Sequence, residues 1–450
     1  MQTRKQQNTR RDFLKKSGTI AVGTALTGGF ASGLIPRVHA AEDNTIKVVL
    51  VGCGGRGTGA ASQALSVKGP TKLVGVADFF EQRAKNCVKL IKESHGEKVD
   101  VPPERIFSGL HGYKHAVDLL GSSDVALFAT PPAFRPIHVE YAVNKGVNVF
   151  MEKSFAVDAP GINRIRKAGE LAKQKNLKIA GGLMSRHSYA LNGAIEQIHS
   201  GAIGDAVTCW AYREHGAVGF GPKRDGESDL AHQIRNYSNF TWLNGSFLLD
   251  WLIHNIDVCC WVKGAYPVSA QGMGGRQVRT AKDQLFDHYG VEYRFPDGTT
   301  LFAQGRHQDK CWGFFGSVIQ GSKGSAVLGE GISRPKLYKT WKRLPEDQIW
   351  EHKGEFNNFY QTEHDLLFDA IRNDKPYNET EYSANSAMTG ILGLMAVESG
   401  REITWEQASK SEVQLAPNLD TLTEDSPAPV LPDENGNYPI ALPGVKSVWG

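Results

Sequence analysis

The sequence predicts an α/β protein in which a parallel sheet with crossover helices precedes an α+β domain with a largely antiparallel, open sheet. Three observations support this fold class. The chain has 450 residues, which is too many for one ordinary core and suits two domains. Short β-branched runs alternate with helical stretches as far as residue 151. Longer strands, joined by a hairpin-like turn near residue 296, follow in the second half.

Four apolar runs predict the strands of the first domain, because each is rich in β-branched residues and bounded by Gly, Pro or Asp. The runs lie at residues 46–51, 72–77, 125–129 and 147–151, with helical stretches between them at 59–66, 81–93 and 136–145. This alternation is typical of parallel strands that are joined by helices. We place this domain at residues 41–156.

The second domain, predicted for residues 157–405, has a different pattern. Two helices, at about 161–175 and 189–200, lead into long strands such as 290–295 and 299–307. Pro296-Asp297-Gly298 between these strands is typical of a hairpin turn, which makes them antiparallel. Two further helices are predicted at 358–372 and 383–398. Residues 406–450, which are rich in Pro, Asp and Asn from residue 415 onward, are expected to form a surface tail.

The composition is that of a soluble globular protein, with 40% hydrophobic and 22% charged residues. The sequence has no run of 18 strongly apolar residues, which excludes a protein with several membrane spans. Residues 1–40 hold seven Lys or Arg and one acidic residue, so the rest of the chain carries 44 basic and 47 acidic residues, a net charge of −3. This balance gives no electrostatic reason to expect nucleic acid as a partner.

The first 40 residues have the parts of a secretory signal. A basic start precedes a weakly apolar middle at 17–35 and small residues at Val38-His39-Ala40. Arg10-Arg11, followed by Phe13-Leu14-Lys15, resembles the twin-arginine type. We therefore expect residues 1–40 to be a twin-arginine signal peptide, the export machinery of that route to be a partner, and the protein to be periplasmic. A disordered basic tail or a retained anchor is the alternative.

The six cysteines show no C-x-x-C spacing of a metal or redox site. Proteins on the twin-arginine route fold before export, in the reducing cytosol. We therefore expect reduced cysteines in the core. No metal site is predicted.

A glycine fingerprint follows the first predicted strand and opens a helix. Its sequence is Gly52-Cys53-Gly54-Gly55-Arg56-Gly57, which has the spacing G-x-G-x-x-G. The first glycine permits a tight turn, the second a close approach of the backbone to a pyrophosphate, and the third close packing of helix on strand. The helix N-terminus then offers N–H groups to phosphate oxygens. The motif predicts a Rossmann dinucleotide-binding domain.

Asp78 ends the next predicted strand, 21 residues after Gly57. A carboxylate at this place accepts hydrogen bonds from ribose hydroxyls and repels a 2′-phosphate, which favours NAD over NADP. Arg83 would tolerate a phosphate, so NADP is the less favoured cofactor. A glycine-rich turn with an unrelated aspartate is the alternative without a cofactor.

Two further segments are expected at the cofactor crevice, because ligands of open α/β sheets bind beyond the carboxyl ends of the strands. Thr130-Pro131 follows the run at 125–129, with His138 in the next helix. Glu152-Lys153 follows the run at 147–151.

A narrow polar stripe crosses an apolar helix farther along the chain. Asp250, His254 and Asp257 are spaced i, i+4 and i+7, which places them on one face of an α-helix. Nearly all other residues from 247 to 262 are apolar. Because burying unpaired charge is costly, the stripe either lines a site or faces solvent.

Together these motifs resemble the Gfo/Idh/MocA family of glucose–fructose oxidoreductase and inositol dehydrogenase, over about residues 45–405. The resemblance adds Arg186-His187 and two glycine-containing motifs, at 321–324 and 390–393, to the fingerprint, the A-T-P segment, the strand-end Glu-Lys and the D-x-x-x-H-x-x-D pattern. Ser154 stands where the family usually has proline, which is expected to loosen the loop that carries Lys153. Leu252 replaces a glycine of the His motif.

The resemblance implies roles for these residues. Lys153 would polarise the reacting hydroxyl, and His254 would act as general base in oxidation and general acid in reduction, its ordinary pKa near 6.5 suiting both. Asp250 would bind a neighbouring substrate hydroxyl. The implied cofactor contacts are Gly52, Gly54, Gly55, Arg56, Gly57, Asp78, Arg83, Thr130, Pro131, His138, Glu152 and Lys153. The implied substrate contacts are Arg186, His187, Asp250 and His254.

Some of these polar residues also have a structural interpretation. His138 and His187 are each as well explained as structural histidines, and Asp257 is expected to orient its helix. Trp210, Tyr212, Arg213 and His215 follow one another along a predicted strand, and they either line the substrate face or pack in the core.

The sequence thus predicts an oxidoreductase that transfers hydride between a sugar or polyol hydroxyl and a tightly bound NAD. A glycosidase that uses NAD in an oxidation–elimination–addition–reduction cycle is the first alternative, and a non-catalytic sugar-binding protein is the second. A homo-oligomer, dimer or tetramer, is expected to form through the open sheet.

Overall fold

Two sheets organise the chain in its computed structural model. The structure describes residues 44–329 and 334–449, so the predicted signal peptide at 1–40 lies outside the described residues. Residues from Thr45 onward form one unit. None of the helices in the described ranges is both long and apolar enough to cross a membrane.

The first sheet has six parallel strands in the order β3-β2-β1-β4-β5-β6. The strands are β1 (Ile46–Val51), β2 (Thr71–Asp78), β3 (Ile106–Ser108), β4 (Val125–Phe128), β5 (Asn148–Met151) and β6 (Ile179–Gly181). The helices that join them are α1 (Gly55–Ser66), α2 (Glu81–His95), α3 (Gly112–Val117), α4 (Arg135–Asn144) and α5 (Ala159–Gln174). The central strands are buried, as in parallel sheets with helices on both faces.

The parallel sheet continues past the predicted domain boundary. β6 pairs with β5 in parallel register, with Val149 opposite Ile179 and Met151 opposite Gly181. The first domain therefore includes α5 and β6, and the predicted start of the second domain at residue 157 is too early. β6 has only three residues, which is too short to give a periodic strand signal in the sequence.

The second sheet has nine strands in the order β14-β13-β12-β11-β7-β10-β9-β8-β15. These are β7 (Ala206–His215), β8 (Ser269–Gly275), β9 (His288–Arg294), β10 (Thr300–His307), β11 (Phe314–Gly321), β12 (Ser325–Gly329), β13 (Lys336–Tyr338), β14 (Gln348–Glu351) and β15 (Ile403–Thr404). β7 and β10 are parallel and the other neighbouring pairs are antiparallel. Gly298, with φ +86°, closes the predicted hairpin between β9 and β10. The predicted fold class is confirmed.

The helices of the second half are α6 (Tyr189–His199), α7 (Asp229–Arg235), α8 (Thr241–Asn244), α9 (Ile253–Lys263), α10 (Phe359–Arg372), α11 (Thr380–Ser399) and α12 (Trp405–Ser409). Short 3-10 turns lie at Gly96–Lys98, Pro103–Arg105, Pro132–Phe134, Met184–His187, Tyr237–Asn239 and Pro345–Asp347, and a π-helical turn lies at Leu248–Leu252. α10 returns to the first domain, where Gln361 Nε2 donates to the backbone oxygen of Gln63 on α1 at 3.0 Å.

The six cysteines are free thiols. Five of them are buried, as expected, whereas Cys311 is exposed and does not belong to the core. Cys311 lies between β10 and β11, directly after the polar residues Gln308-Asp309-Lys310.

Residues 410–449 contain no helix or strand and run over the surface. Side chains tie them to both domains. The Leu415 N–H donates to Asp158 at 2.9 Å, and the Trp449 indole donates to Glu398 at 2.8 Å. Glu424 accepts a hydrogen bond from the Leu110 N–H at 2.6 Å, close to the carboxyl end of β3.

Replacing Asp158 with alanine tests how this tail is held. Asp158 caps α5 by accepting from the Gly161 N–H at 2.8 Å, and its other oxygen holds Leu415. Asp158→Ala should lower the free energy of unfolding by about 1–2 kcal/mol and should speed cleavage of the tail by a glutamyl endopeptidase. Asn358→Ala is the matched control, because Asn358 caps α10 and has no recorded contact with the tail. Equal cleavage of both variants would contradict the anchoring role of Asp158.

Candidate active site

A cleft that is open to solvent lies at the carboxyl ends of the parallel strands. Ten of the twelve predicted cofactor residues line it, namely Gly52, Gly54, Gly55, Arg56, Gly57, Asp78, Arg83, Thr130, Pro131 and His138. The other two, Glu152 and Lys153, follow β5 directly. The structure therefore brings these residues together at one edge of the sheet, and their contact with a cofactor stays a prediction.

The fingerprint glycines form a cradle with one packed side and one open side. Gly52 has φ +97°, and a Cβ there would lie 2.5 Å from the Ala129 carbonyl carbon. A Cβ at Gly57 would lie 1.8 Å from the Gly52 oxygen. A Cβ at Gly54 or Gly55 would meet no other group within 4 Å, so the backbone there faces open space at the start of α1. This is the space and the N–H orientation that a pyrophosphate requires, and the residues present fit a dinucleotide.

Asp78 occupies the position of a ribose-binding carboxylate at the end of β2. Its oxygens accept hydrogen bonds from the backbone N–H groups of Cys53 at 2.8 Å and Phe80 at 2.9 Å. Burial raises the pKa of Asp78, and the Arg83 guanidinium, 3.7 Å away, opposes that shift. Arg83 packs over the Phe80 ring at 4.7 Å. The carboxylate is thus fixed at the rim of the cleft by bonds that leave it facing the cavity.

Arg56, the charged residue of the fingerprint, lies beside two acidic side chains of the protein. Its Nε donates to Glu152 at 2.5 Å, and its NH2 lies 3.9 Å from Glu363 on α10. Glu363 is fully buried, and burial, followed by the charge of Glu152, raises its pKa well above the ordinary value. Arg56 therefore couples the cofactor cradle to the end of β5.

Lys153 is fixed against the second domain. Its ammonium group donates to the Asp250 carboxylate at 2.9 Å and also to the Asp250 backbone oxygen. The hydroxyl of Ser154, which is fully buried, donates to the Leu249 backbone oxygen. Ser154 thus provides a hydrogen bond that a proline cannot make, and the looser loop expected from the loss of proline stays a prediction.

The polar stripe has a geometry that the sequence did not predict. Residues Leu248–Leu252 form a π-helical turn, and α9 starts only at Ile253, so the three residues do not lie along one continuous α-helical face. Asp250 contacts Lys153, whereas Asp257 contacts Arg186. All three side chains are buried, which excludes the alternative of a solvent-facing edge. π-helical turns are frequent at functional sites.

His254 is a buried, uncharged imidazole. Its Nδ1 has no hydrogen-bond partner among the described residues. Burial lowers the pKa of His254 well below its usual value near 6.5, and the positive charges of Lys153 and Arg213 lower it further. The prediction that an ordinary pKa suits both reaction directions is therefore wrong, since the neutral form, a proton acceptor, dominates at physiological pH. His254 and Arg213 both pack on Phe315, with distances of 6.0 and 3.9 Å to its ring.

The residues implied as further substrate contacts have partners inside the protein. Arg186 makes a bidentate ion pair with Asp257 at 2.8 and 2.9 Å, and its guanidinium packs on the rings of Trp261 and Tyr382. His187 is buried, with its Nε2 3.4 Å from Glu379. Burial lowers the pKa of His187, which keeps its ring neutral. Contact of Arg186 or His187 with substrate stays a prediction.

His138 supports the cleft wall. Its Nδ1 lies 3.2 Å from the hydroxyl of Thr130, and its ring packs on Tyr113 at 4.2 Å. Burial, followed by the charge of Arg135, lowers its pKa well below the ordinary value, so the ring stays neutral. His138 thus combines the structural and the cleft-lining interpretations.

The four polar or aromatic residues of β7 point to two faces. Trp210 and Tyr212 lie on the outer face, stacked at 6.0 Å between ring centroids. Arg213 and His215 lie on the face that is packed by His254 and Trp251, where His215 is 6.1 Å from the Trp251 ring. That Arg213 and His215 line the substrate face stays a prediction.

Sequence reasoning missed several residues of the cleft. Arg135 is fully buried and donates to the backbone oxygens of Phe128 and Thr130, which fixes the turn after β4. Burial lowers its pKa to about 10. Ile234 and Tyr237 reach the cleft from the second domain. Arg135 could have been found in the sequence, because it is a charged residue close to an apolar strand. The sequence around Tyr237 contains no motif that would have identified it.

Within the described ranges, no three His, Cys, Asp or Glu side chains come together in a group that could hold a metal ion.

Comparison with known proteins finds similarity to dehydrogenases and to an oxidoreductase. An inositol 2-dehydrogenase of Ralstonia nicotianae is 25% identical over 247 residues, which are 54% of this chain and 62% of that protein. Scyllo-inositol dehydrogenase from Lactobacillus casei, solved with NAD(H) and scyllo-inositol, is 19% identical with a TM-score of 0.61. Aldose–aldose oxidoreductase from Caulobacter crescentus, complexed with glycerol, is 16% identical with a TM-score of 0.63. Both matches cover 80% of this chain and 99% of the solved chain.

No protein-family model matches the chain. The solved structures establish the fold, a Rossmann-like parallel sheet followed by a largely antiparallel sheet. The matched region spans 62% of the length of the Ralstonia relative.

Replacing Arg186 tests whether its ion pair is structural. Arg186→Met leaves Asp257 buried without its counter-charge, which should lower the free energy of unfolding by about 3–5 kcal/mol. The double variant Arg186→Met/Asp257→Leu should recover part of that loss, because it removes the unpaired charge. Urea unfolding of both variants measures this. A single variant as stable as the wild type would show that the pair does not stabilise the fold.

Proposed function

We propose that this protein is an NAD-dependent oxidoreductase that transfers hydride between a hydroxyl of a sugar or polyol and the cofactor. The observation that carries the proposal is the contact of Lys153 with Asp250, beside a buried neutral His254, at the edge of a glycine-lined cleft. The names of the matched proteins, inositol 2-dehydrogenase and aldose–aldose oxidoreductase, support a polyol or sugar as substrate.

The chemistry of the bound dinucleotide is to accept hydride in oxidation and to donate it in reduction. The residues of the chain supply positioning and proton transfer. Lys153 donates a hydrogen bond to the reacting oxygen and stabilises the negative charge that develops there. His254, which is unprotonated, accepts the hydroxyl proton. Asp250 holds the Lys153 ammonium and accepts a hydrogen bond from a neighbouring substrate hydroxyl.

NAD is favoured over NADP because the buried carboxylate of Asp78 lies at the rim of the cleft. A 2′-phosphate beside this carboxylate would meet like charge, and Arg83 offsets only part of it. The bound cofactor of the Lactobacillus casei structure, NAD(H), supports the same choice.

We also propose a homo-oligomer through the outer face of the nine-stranded sheet. Trp210, Tyr212, Phe302 and Phe314 form an aromatic cluster there, and Trp312 beside them is 62% exposed. Apolar patches of this kind mark association surfaces. Light scattering after size-exclusion chromatography tests the assembly, and Trp312→Glu should shift it toward the monomer.

Export by the twin-arginine route to the periplasm is the third part of the proposal, and it rests on Arg10-Arg11 and the segment that follows. Fractionation of cells that express the full chain tests it, with Arg10→Lys/Arg11→Lys as the variant that should remain in the cytoplasm.

Lys153→Met and His254→Ala should each lower turnover by about 10²- to 10⁴-fold, the usual contribution of a positioned proton-transfer group. Cofactor affinity should change little, because neither side chain lines the glycine cradle. Initial rates on a panel of inositols and aldoses with NAD measure turnover. Lys145→Met, at an exposed ion pair with Asp118, is the matched control and should keep full activity. Normal turnover in either active-site variant would exclude the assigned role.

The pH dependence of oxidation should reflect the lowered pKa of His254. A base must be unprotonated, so kcat/KM should stay level as the pH falls from about 8 through 6.5, and should decline only at more acidic values. An ordinary histidine would be half protonated at about pH 6.5. Initial rates at constant ionic strength measure the profile, and an acid limb with its midpoint at or above pH 6.5 would contradict the buried, neutral imidazole.

The cofactor should stay bound during turnover if the protein works outside the cytoplasm, where free NAD is scarce. Retention through purification requires a dissociation constant below about 1 μM, or binding stronger than about −8 kcal/mol. The mature protein, purified without nucleotide and then denatured, should release close to one equivalent of NAD. Much less than one equivalent, with activity restored by added NAD, would show that the cofactor exchanges freely.

A further inference from the structure

The cleft has a wall that does not belong to the nucleotide-binding sheet. Two residues of the second domain form this wall: Ile234, near the end of α7, and Tyr237, in the 3-10 turn that follows. Thr130, Pro131 and Phe134, on the β4 side, also line the cleft. Asp78 and Arg83 lie on the β2 side. In this fold the adenine half of a dinucleotide lies over the first strands, so the nicotinamide half lies on the β4 side. Tyr237 therefore faces the reactive half of the cleft.

The turn that carries Tyr237 is fixed by buried polar contacts. Asn239 Nδ2 donates to the Gly219 oxygen at 3.0 Å and to Asp283 at 2.8 Å. Asn244 Nδ2 donates to the Ser238 oxygen at 2.6 Å. Asp283 is fully buried and is itself held by two arginines. These hydrogen bonds lie within the protein and fix the turn in the absence of a ligand. The Tyr237 ring therefore has one position.

The same segment docks on the first domain. Trp242 in α8 is buried and meets the ring of Phe134 edge-on at 6.1 Å. Its indole N–H donates to Gln233 at 2.7 Å. Because Phe134 belongs to the turn directly after Pro131, this contact joins the segment of Tyr237 to the β4 side of the cleft.

Tyr237 lines the cleft and is 37% exposed. The negative charge of Asp250 acts on its hydroxyl and, followed by burial, raises its pKa. The Ser238 side chain hydrogen-bonds to this hydroxyl, and Arg135 and Glu152 act on it with weaker charge effects. A tyrosine with a raised pKa keeps its proton at any working pH, so the hydroxyl is a hydrogen-bond donor.

We propose that Tyr237 contacts both cofactor and substrate: its ring covers the nicotinamide half of the bound dinucleotide, and its hydroxyl donates a hydrogen bond at the reaction centre beside Asp250. The proposal rests on the proposed function, because it requires that the cleft hold NAD. It assigns two separable tasks to one side chain, retention of the cofactor to the ring and alignment of the substrate to the hydroxyl.

Two substitutions separate the tasks. Tyr237→Phe removes only the hydroxyl, and Tyr237→Ala removes the ring as well. The holoprotein is loaded with NADH, mixed with excess NAD, and the decay of bound NADH fluorescence gives the rate of cofactor release. Steady-state rates on an oxidisable polyol give kcat/KM for the same preparations. Tyr189→Ala, which removes an exposed tyrosine outside the cleft, is the matched control.

Tyr237→Phe should release NADH within about twofold of the wild-type rate but should lose about tenfold or more in kcat/KM, the usual cost of one hydrogen bond. Tyr237→Ala should in addition release NADH at least about tenfold faster. Tyr189→Ala should match the wild type in both measurements. This split between release and turnover is the result that a merely structural tyrosine would not give.

Each other outcome overturns a defined part of the proposal. Release from Tyr237→Ala at the wild-type rate overturns the role of the ring, and wild-type kcat/KM in Tyr237→Phe overturns the role of the hydroxyl. Failure of the wild-type protein to bind NADH at all overturns the proposed function together with this inference, and is distinguished from the other results by the wild-type measurement alone. Because Tyr237→Phe keeps the packing of the ring, misfolding of Tyr237→Ala leaves the hydroxyl test intact.

Discussion

The site depends on one junction, where the end of β5 meets the π-helical turn of the second domain. Lys153 donates to the carboxylate and the backbone oxygen of Asp250, and Ser154 donates to the backbone oxygen of Leu249. Neither domain contains a complete site, because the lysine belongs to one sheet and the aspartate to the helices packed on the other. The charge of Asp250 at this junction also acts on the hydroxyl of Tyr237. A hydrogen bond to a charged group contributes about 1.5–3 kcal/mol, so these contacts stabilise the alignment of the two sheets as well as the site.

The electrostatics of the interior favour a proton acceptor. Burial raises the pKa of Glu363 and lowers that of His138, His187 and His254, so each of these groups is held in its neutral form. Two ion pairs hold charges that remain in the interior. Arg186 pairs with Asp257, and Lys153 with Asp250. Pairing offsets part of the cost of burial, and His254 stays uncharged near the cations Lys153 and Arg213.

The sequence predicted those parts of the fold that repeat locally and missed those that depend on distant contacts. The fingerprint turn, Asp78 and the Glu152-Lys153 strand end have fixed spacing from an apolar run, so their place at the sheet edge follows from the pattern. β6 is too short for a pattern, and the π-helical turn has the composition of an ordinary helix. Tyr237 lies in irregular chain, and its position depends on Asn239 binding Asp283, 44 residues away. Such contacts become visible only in the folded chain.

The tail affects when the nucleotide cleft is completed during synthesis of the chain. Glu424 holds the N–H of Leu110, which lines the cleft beside Gly109, across 314 positions of sequence. The ribosome synthesises the strands of both sheets, β1 to β15, before it adds residue 424. The pocket wall at Leu110 thus receives this contact only after residue 424 has left the ribosome, later than the strands of both sheets. A nascent chain consequently carries every strand of the two sheets before its nucleotide cleft has this part of its wall fixed.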